Sequence, residues 1–336
     1  MRRAPAHQMA VNSISPLGLV AVSFAAGWLL ARISAARARR KQIPTAAVAP
    51  SPEVSVQVLR ALQTPPQQAQ RPLAGRRALV TGAGRGIGRG AALALARLGA
   101  DIILNDLPGD EAADETARVI EALGSRCDVA RCDVSDAAAV ERMVSAAGAL
   151  DIVVASAAWS DRGAYLDEQK LPLLQKTLEV SQMGIVHTVR AAARALRARR
   201  LSAEMQGSNW RGKVVLVSSI MGVQPLSDRA TAYSMAKAAV VQLGKCLAAE
   251  LCPQRINVNV VLPGWIDTPG ERKWTSSERM AELEPQMPWG RLGTPDDVGA
   301  VIGFLCSDAA DYMTGSAVVV DGGYSVSLRL PMGATA

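Results

Sequence analysis

From Arg77 onward the chain alternates short apolar runs with amphipathic stretches, and this alternation restricts its fold more than any other property of the sequence. RALVT (77–81), DIILN (101–105), DIVVA (151–155), KVVLV (213–217), NVNVVL (257–262) and AVVVD (317–321) are nearly continuous apolar segments of strand length. Runs of this kind suit strands buried on both faces, as in parallel sheets. Between them GRGAALALARLGA (88–100) and stretches near 136–147, 172–199, 232–251 and 295–306 carry helical spacing. Strands that alternate with helices need crossover connections, which predicts a single α/β domain over 76–326 with a Rossmann-like, doubly wound parallel sheet.

The residues before this domain have a different character. Residues 1–75 hold nine Lys/Arg against one acidic residue, Glu53, a net +8, while the remainder holds 28 against 29, a net −1, giving the chain's +7. The basicity therefore belongs to the leader, and a folded basic patch for nucleic acid is not expected. Ala4 to Ala31 contains no Lys, Arg, Asp or Glu, and its apolar heart, 14–31, is followed by Arg32, Arg37, Arg39, Arg40 and Lys41. Segment 1–41 thus reads as a hydrophobic anchor or targeting segment with basic flanks: an uncleaved anchor, a cleaved organellar presequence, or a secretory signal. These readings place the domain on the cytoplasmic or matrix side of a membrane, or in a mitochondrion or plastid. Residues 42–75, rich in Pro, Ala and Gln, read as a linker, and 327–336 as a tail. Five cysteines (127, 132, 246, 252 and 306) without CxxC or metal-ligand spacing suggest neither disulfides nor a metal site. Of the two histidines, His7 and His187, the second lies in an apolar helical stretch and reads as an ordinary packed side chain.

TGAGRGIG (81–88) joins the first strand to the first helix. Gly82, Gly86 and Gly88 fall where a tight turn brings bare backbone against a pyrophosphate at a helix N-terminus, with Arg85 and Ile87 between them. Asp106, at the end of the second strand, would accept hydrogen bonds from the adenosine ribose hydroxyls and repel a 2′-phosphate, which favours NAD. Arg85 is the kind of group that holds that phosphate, so NADP remains admitted. In YSMAK (233–237) Tyr233 and Lys237 lie one helical turn apart on one face, so that the ammonium would lower the phenol's pKa toward neutrality for proton transfer. Ser218-Ser219 ends the preceding strand at the edge where ligands of open α/β sheets bind.

With these motifs the chain resembles the short-chain dehydrogenase/reductase family over 76–326. TGAGRGIG, Asp133-Val134 after the third strand, SSIMG (218–222), YSMAK, PGWIDT (263–268) and DGG (321–323) carry the resemblance. It implies hydride transfer between a nicotinamide and an alcohol or ketone. Tyr233 would exchange the hydroxyl proton, Lys237 would hold the nicotinamide ribose, and Ser219 would bond the substrate oxygen. Asp133 and Val134 would border the adenine, and Ile266 and Thr268 would fix the carboxamide. The resemblance also implies a homo-oligomer packed through the helices near 172–199 and 232–251.

Two departures stand out. Ala155-Ser156-Ala157-Ala158 replaces the family's Asn-Asn-Ala-Gly after the fourth strand, and Ser181 stands where an asparagine kinks a helix and holds a water. Serine could hold a water with a shorter reach. The expected function is an NAD-preferring alcohol dehydrogenase or ketone reductase; the alternative is a nucleotide-binding but catalytically weak or silent subunit, structural in a membrane or organellar assembly. The substrate lid is expected from 264–290, with Trp265, Trp274 and Met280 either as apolar contacts or as packing of the lid itself. Trp159 would project over the site.

Overall fold

The computed structural model describes residues 71–161, 171–198, 210–227 and 230–327. The segment 14–31, nearly all of the linker and all of the tail beyond Ser327 lie outside the described residues. The strands are β1 (Arg77–Thr81), β2 (Asp101–Asp106), β3 (Cys127–Arg131), β4 (Ile152–Ala155), β5 (Gly212–Val217), β6 (Ile256–Pro263) and β7 (Ala317–Val320). They form one sheet in the order β3-β2-β1-β4-β5-β6-β7, and every neighbouring pair is parallel. The helices are α1 (Gly86–Arg97), α2 (Glu111–Ala122), α3 (Ala137–Ala147), α4 (Leu171–Leu178), α5 (Gly184–Ala198), α6 (Thr231–Leu251), α7 (Ser277–Leu283) and α8 (Pro295–Cys306).

Both faces of the sheet are covered, which is why its central strands are apolar at successive positions rather than alternate ones. Leu79, Val153, Val214 and Val258 pack with Val140, Val189 and Val240 of α3, α5 and α6. Val80, Val154, Val215 and Val261 point the other way, toward Leu95, Ile120 and Ile302 of α1, α2 and α8. On that second face α1 and α8 cross backbone against backbone: a Cβ at Gly90 would lie 2.3 Å from the Pro295 carbonyl oxygen, and one at Gly299 would lie 2.5 Å from that of Gly90.

Three features depart from the sequence pattern. The strand β3 has the sequence CDVAR and an alternating, half-exposed burial, because it is the edge of the sheet and needs little apolar surface. The helix α2 is polar over most of its surface and buries only Ala113, Thr116, Ala117 and Ile120. The stretch 172–199 is not one helix: a π-helical segment, Glu179–Met183, separates α4 from α5. As to the expected transmembrane helix, among the described residues no helix is long and apolar enough to cross a membrane.

Candidate active site

The strand order reverses between β1 and β4, so the connections leaving these two strands diverge and open a crevice at their C-terminal ends. The glycine-rich turn lies there. Gly82 and Gly86 have φ values of +64° and +54°, which side chains rarely adopt. A Cβ at Gly88 would lie 2.1 Å from the Gly82 carbonyl oxygen, and one at Gly82 would lie 2.7 Å from the Ala157 Cα. The turn is thus pressed against the segment that follows β4. Thr81 fastens the two together, its Oγ1 accepting the amide N–H groups of Ser156 (3.1 Å) and Ala157 (3.3 Å).

The residues present fit a dinucleotide. Side chains of Asp110, Asp136, Ser276 and Thr294 cap the N-termini of α2, α3, α7 and α8. The N-cap of α1 is Arg85, whose side chain makes no such bond. The first-turn N–H groups of α1 therefore lack the side-chain acceptor that those four helices have, which leaves them open to an anion. Across the crevice, Thr268 lies 3.5 Å from the place where a Cβ on Gly86 would stand, so the loop after β6 faces the glycine turn. Ile87 is half-buried and packs against the core beside it.

Asp106 accepts the Gly84 N–H through Oδ2 (2.7 Å) and the Leu107 N–H through Oδ1 (2.8 Å), which holds its carboxylate at the turn. Arg85 is turned to the Asp110 carboxylate, with its NH2 nitrogen donating to both oxygens. Asp133 is exposed and accepts from the amide and hydroxyl of Ser135. Val134 is 4% exposed, with its side chain against the α5 backbone at Gly184. Its carbonyl bonds Nδ1 of His187, which explains that histidine's place in an apolar helix.

Ser219, Tyr233 and Lys237 come together at the end of β5. Ser219 opens a short 3₁₀ turn, Ile220–Gly222, and its Oγ accepts the Met221 N–H at 3.1 Å. Gly222 allows this turn to touch α6, since a Cβ there would lie 2.7 Å from the carbonyl carbon of Lys237. Ser218 completes the junction by donating to the Lys237 carbonyl at 2.7 Å. The Lys237 ammonium is buried, donates to the Val217 carbonyl at 2.9 Å and lies 5.5 Å from the Tyr233 ring centroid. Burial lowers its pKa to about 8. Tyr233 is half-buried, and desolvation of its phenol pushes it up to about 12. The side-chain hydrogen bond with Ser219 opposes the rise and the charge of Glu271 adds to it. The expected fall of the phenol toward neutrality is opposed in the chain alone by loss of hydration, which outweighs the Ser219 hydrogen bond.

The altered segment after β4 is held by Ser181. Its Oγ donates to the Trp159 carbonyl (2.6 Å) and accepts the Trp159 N–H (2.8 Å) from a fully buried position in the π-helical segment. These bonds engage the hydroxyl that could otherwise hold a water. Trp159 stacks beneath the Lys176 ammonium at 4.7 Å. In the lid, Met280 and Leu283 are buried as packing of α7, whereas Trp274 is exposed.

Thr81, Ser218 and Gly222 stand inside the quoted motifs, but their bonds and contacts to neighbouring segments are visible only in the structure. Asn105 is a further case. Its Nδ2 donates to the carbonyls of Ala130 (3.0 Å) and Cys132 (3.1 Å) and ties β2 to β3 at the cofactor edge. An asparagine inside an otherwise apolar strand was the available signal.

Comparison with known proteins places this fold among oxidoreductases. The family described as enoyl-(acyl carrier protein) reductase matches residues 82–325. A cis-4-hydroxycyclohexanecarboxylate dehydrogenase of Sinomonas cyclohexanicum is 36% identical over 254 residues, 74% of this chain and 96% of its own length. An L-rhamnose 1-dehydrogenase (NAD(P)(+)) of a Sphingomonas strain is 36% identical over 262 residues, 76% of this chain and 99% of its own. Among solved structures, a short-chain type dehydrogenase/reductase from Mycobacterium marinum matches with a TM-score of 0.68 and 34% identity, covering 76% of this chain and 98% of that one. A 3-oxoacyl-(acyl-carrier protein) reductase from Brucella melitensis in complex with NAD matches with a TM-score of 0.67 and 30% identity, covering 76% and 98%. The chain belongs to the short-chain dehydrogenase/reductase family.

The comparisons correct the localisation expected from the leader. The two bacterial dehydrogenases are matched over nearly their full length by about three quarters of this chain, so they leave no room for a counterpart of residues 1–75. On that comparison the membrane and organelle assignments are withdrawn.

Proposed function

We propose that this chain interconverts an alcohol and a ketone on a small carbocycle or sugar, with NAD as the preferred cofactor. The observation that carries the reading is the junction of Ser219, Tyr233 and Lys237: a phenol bonded to a serine hydroxyl, with a buried ammonium a helical turn away. The class of substrate rests on the relatives, which are named for a hydroxycyclohexanecarboxylate and for rhamnose.

When bound, the nicotinamide supplies or accepts the hydride at the carbinol carbon. The remaining work falls to the protein. A phenol held near 12 is protonated at neutral pH and donates to a substrate carbonyl oxygen as that oxygen gains charge. Ser219 donates to the same oxygen and fixes its position. Lys237, with a pKa of about 8, is mostly charged at pH 7 and stabilises the phenolate that the donation leaves. In oxidation the same groups act in reverse, with Tyr233 receiving the hydroxyl proton. Gly82, Gly86 and Gly88 with the first turn of α1 would hold the pyrophosphate, Asp106 the adenosine ribose, and Ile266 and Thr268 the nicotinamide end.

The test is a panel of cyclic alcohols, sugars and their ketones with both nucleotides. Tyr233→Phe should lower kcat/KM by about a hundredfold or more, in the range of general acid–base contributions, with nucleotide affinity retained. Should the wild type bind NADH, turn over no member of the panel and respond in nothing to Tyr233→Phe, the chain is a nucleotide-binding subunit and this reading fails.

A further inference from the structure

The corner of the crevice beside Asp106 holds more charge than the recognition of a ribose requires. Arg131 is the register partner of Asp106 across β2 and β3. It donates to the Asp110 carbonyl (3.0 Å) and to the Asp114 carboxylate (2.6 Å). Arg85, on the glycine turn, is held by both oxygens of the Asp110 carboxylate. One turn along α1, Arg89 faces Glu115 at 3.8 Å. Three arginines around the adenosine end thus face three carboxylates of one short segment, 110–115.

We propose that this acidic start of α2 sets the choice between the two nucleotides, because Asp110 and Asp114 occupy the guanidinium groups that would otherwise receive a 2′-phosphate. The inference deepens the dinucleotide reading above and rests on it. Exposed ion pairs are weak, and a phosphate competes well for arginine, so occupancy alone would not suffice. Asp110, however, cannot swing aside at no cost. It is also the N-cap of α2, accepting the Ala112 N–H at 3.0 Å, and its side chain is only 18% exposed. A 2′-phosphate that took Arg85 and Arg131 would stand against Asp106, Asp110 and Asp114, whereas a ribose hydroxyl meets no such repulsion.

The experiment measures the Kd of NAD+ and of NADP+ by calorimetry on wild type, on Asp110→Asn/Asp114→Asn, and on the same pair combined with Arg85→Gln/Arg131→Gln. Asparagine caps a helix as well as aspartate, so the α2 terminus is retained and melting curves should confirm it. NADP+ should tighten by about tenfold or more in the double Asn variant, NAD+ should move by less than about threefold, and the gain should vanish when the arginines are removed. Asp114→Asn alone, which leaves the Asp110 cap in place, should tighten NADP+ by about threefold or more. This arm keeps the inference testable if the Asn variant fails to fold. An unchanged NADP+ affinity in the double Asn variant overturns the proposal, as does a gain that persists without the arginines. Wild type that binds neither nucleotide overturns the dinucleotide reading itself, and the two failures are thereby told apart.

Discussion

Lys237 holds an ammonium in a buried position against the Val217 carbonyl and the Tyr233 ring, and that position has a consequence for stability. Its pKa falls from 10.5 to about 8 on folding. Between these values the unfolded chain binds more protons here, so stability rises with pH across this window. Below about pH 8 both states are protonated and the whole penalty, about 3 kcal/mol, is present. Lys237→Met should therefore stabilise the nucleotide-free protein at pH 7 by about 2 kcal/mol after the lost Val217 bond is counted, while abolishing turnover. The gain should shrink as the pH rises from 8 to 10.5. Denaturant unfolding at pH 7 and pH 10 reads it, and a loss of stability at pH 7 would contradict the burial argument. The identities of Ser219, Tyr233 and Lys237 were legible in the sequence because they stand at fixed spacing after an apolar strand. The direction of the tyrosine's shift was not, since it depends on how much water the fold leaves around the hydroxyl.

At the scale of elements, the π-helical segment between α4 and α5 determines what the altered stretch after β4 becomes. Single π turns arise where an extra residue is accommodated, often at functional sites. Here the segment carries the buried Ser181 to both the amide and the carbonyl of Trp159. Ser181→Ala should destabilise the protein by about 1–3 kcal/mol, because the Trp159 amide and carbonyl lose their partner. Hydrogen exchange at the Trp159 amide should accelerate in the variant. Unchanged exchange would mean that the crevice wall is held by other contacts, of which the Thr81 bonds to Ser156 and Ala157 are candidates. Sequence periodicity finds elements by apolar content, and for that reason it located β1, β4, β5 and β6 but passed over β3 and α2. An edge strand and a largely solvated helix need little apolar surface. The acidic start of α2, which bears on nucleotide choice, lies in an element that this signal detects poorly.

The whole molecule separates its two edges by role. The candidate site gathers at the C-terminal edge of the sheet, and buried ion pairs fasten the N-terminal edge. Arg76 bonds Asp151 at 3.2 Å, Lys213 bonds Asp311 at 2.9 Å, and Trp210 receives both cations on its ring, at 4.3 and 5.2 Å. Removing one member of a buried pair is far more damaging than the pair's own net worth. Asp151→Ala should therefore lower stability by about 3–5 kcal/mol, while nucleotide Kd in the folded fraction stays within about threefold of wild type. Calorimetric melting with a parallel binding isotherm tests both parts; a large change in Kd would show that the two edges are coupled.

The order of apolar runs, with glycines after the first and a tyrosine–lysine pair after the fifth element of the sheet, was sufficient to specify a doubly wound sheet and the side of it that bears the chemistry. Those features are local: they depend on periods of two and 3.6 residues and on backbone freedom at single positions. Tertiary structure alone decided which arginines are engaged at the adenosine corner, what Ser181 bonds to, and how far burial moves Tyr233 and Lys237. Each of these depends on groups distant in sequence and on the exclusion of water between them, and neither quantity is written in any one stretch of the chain.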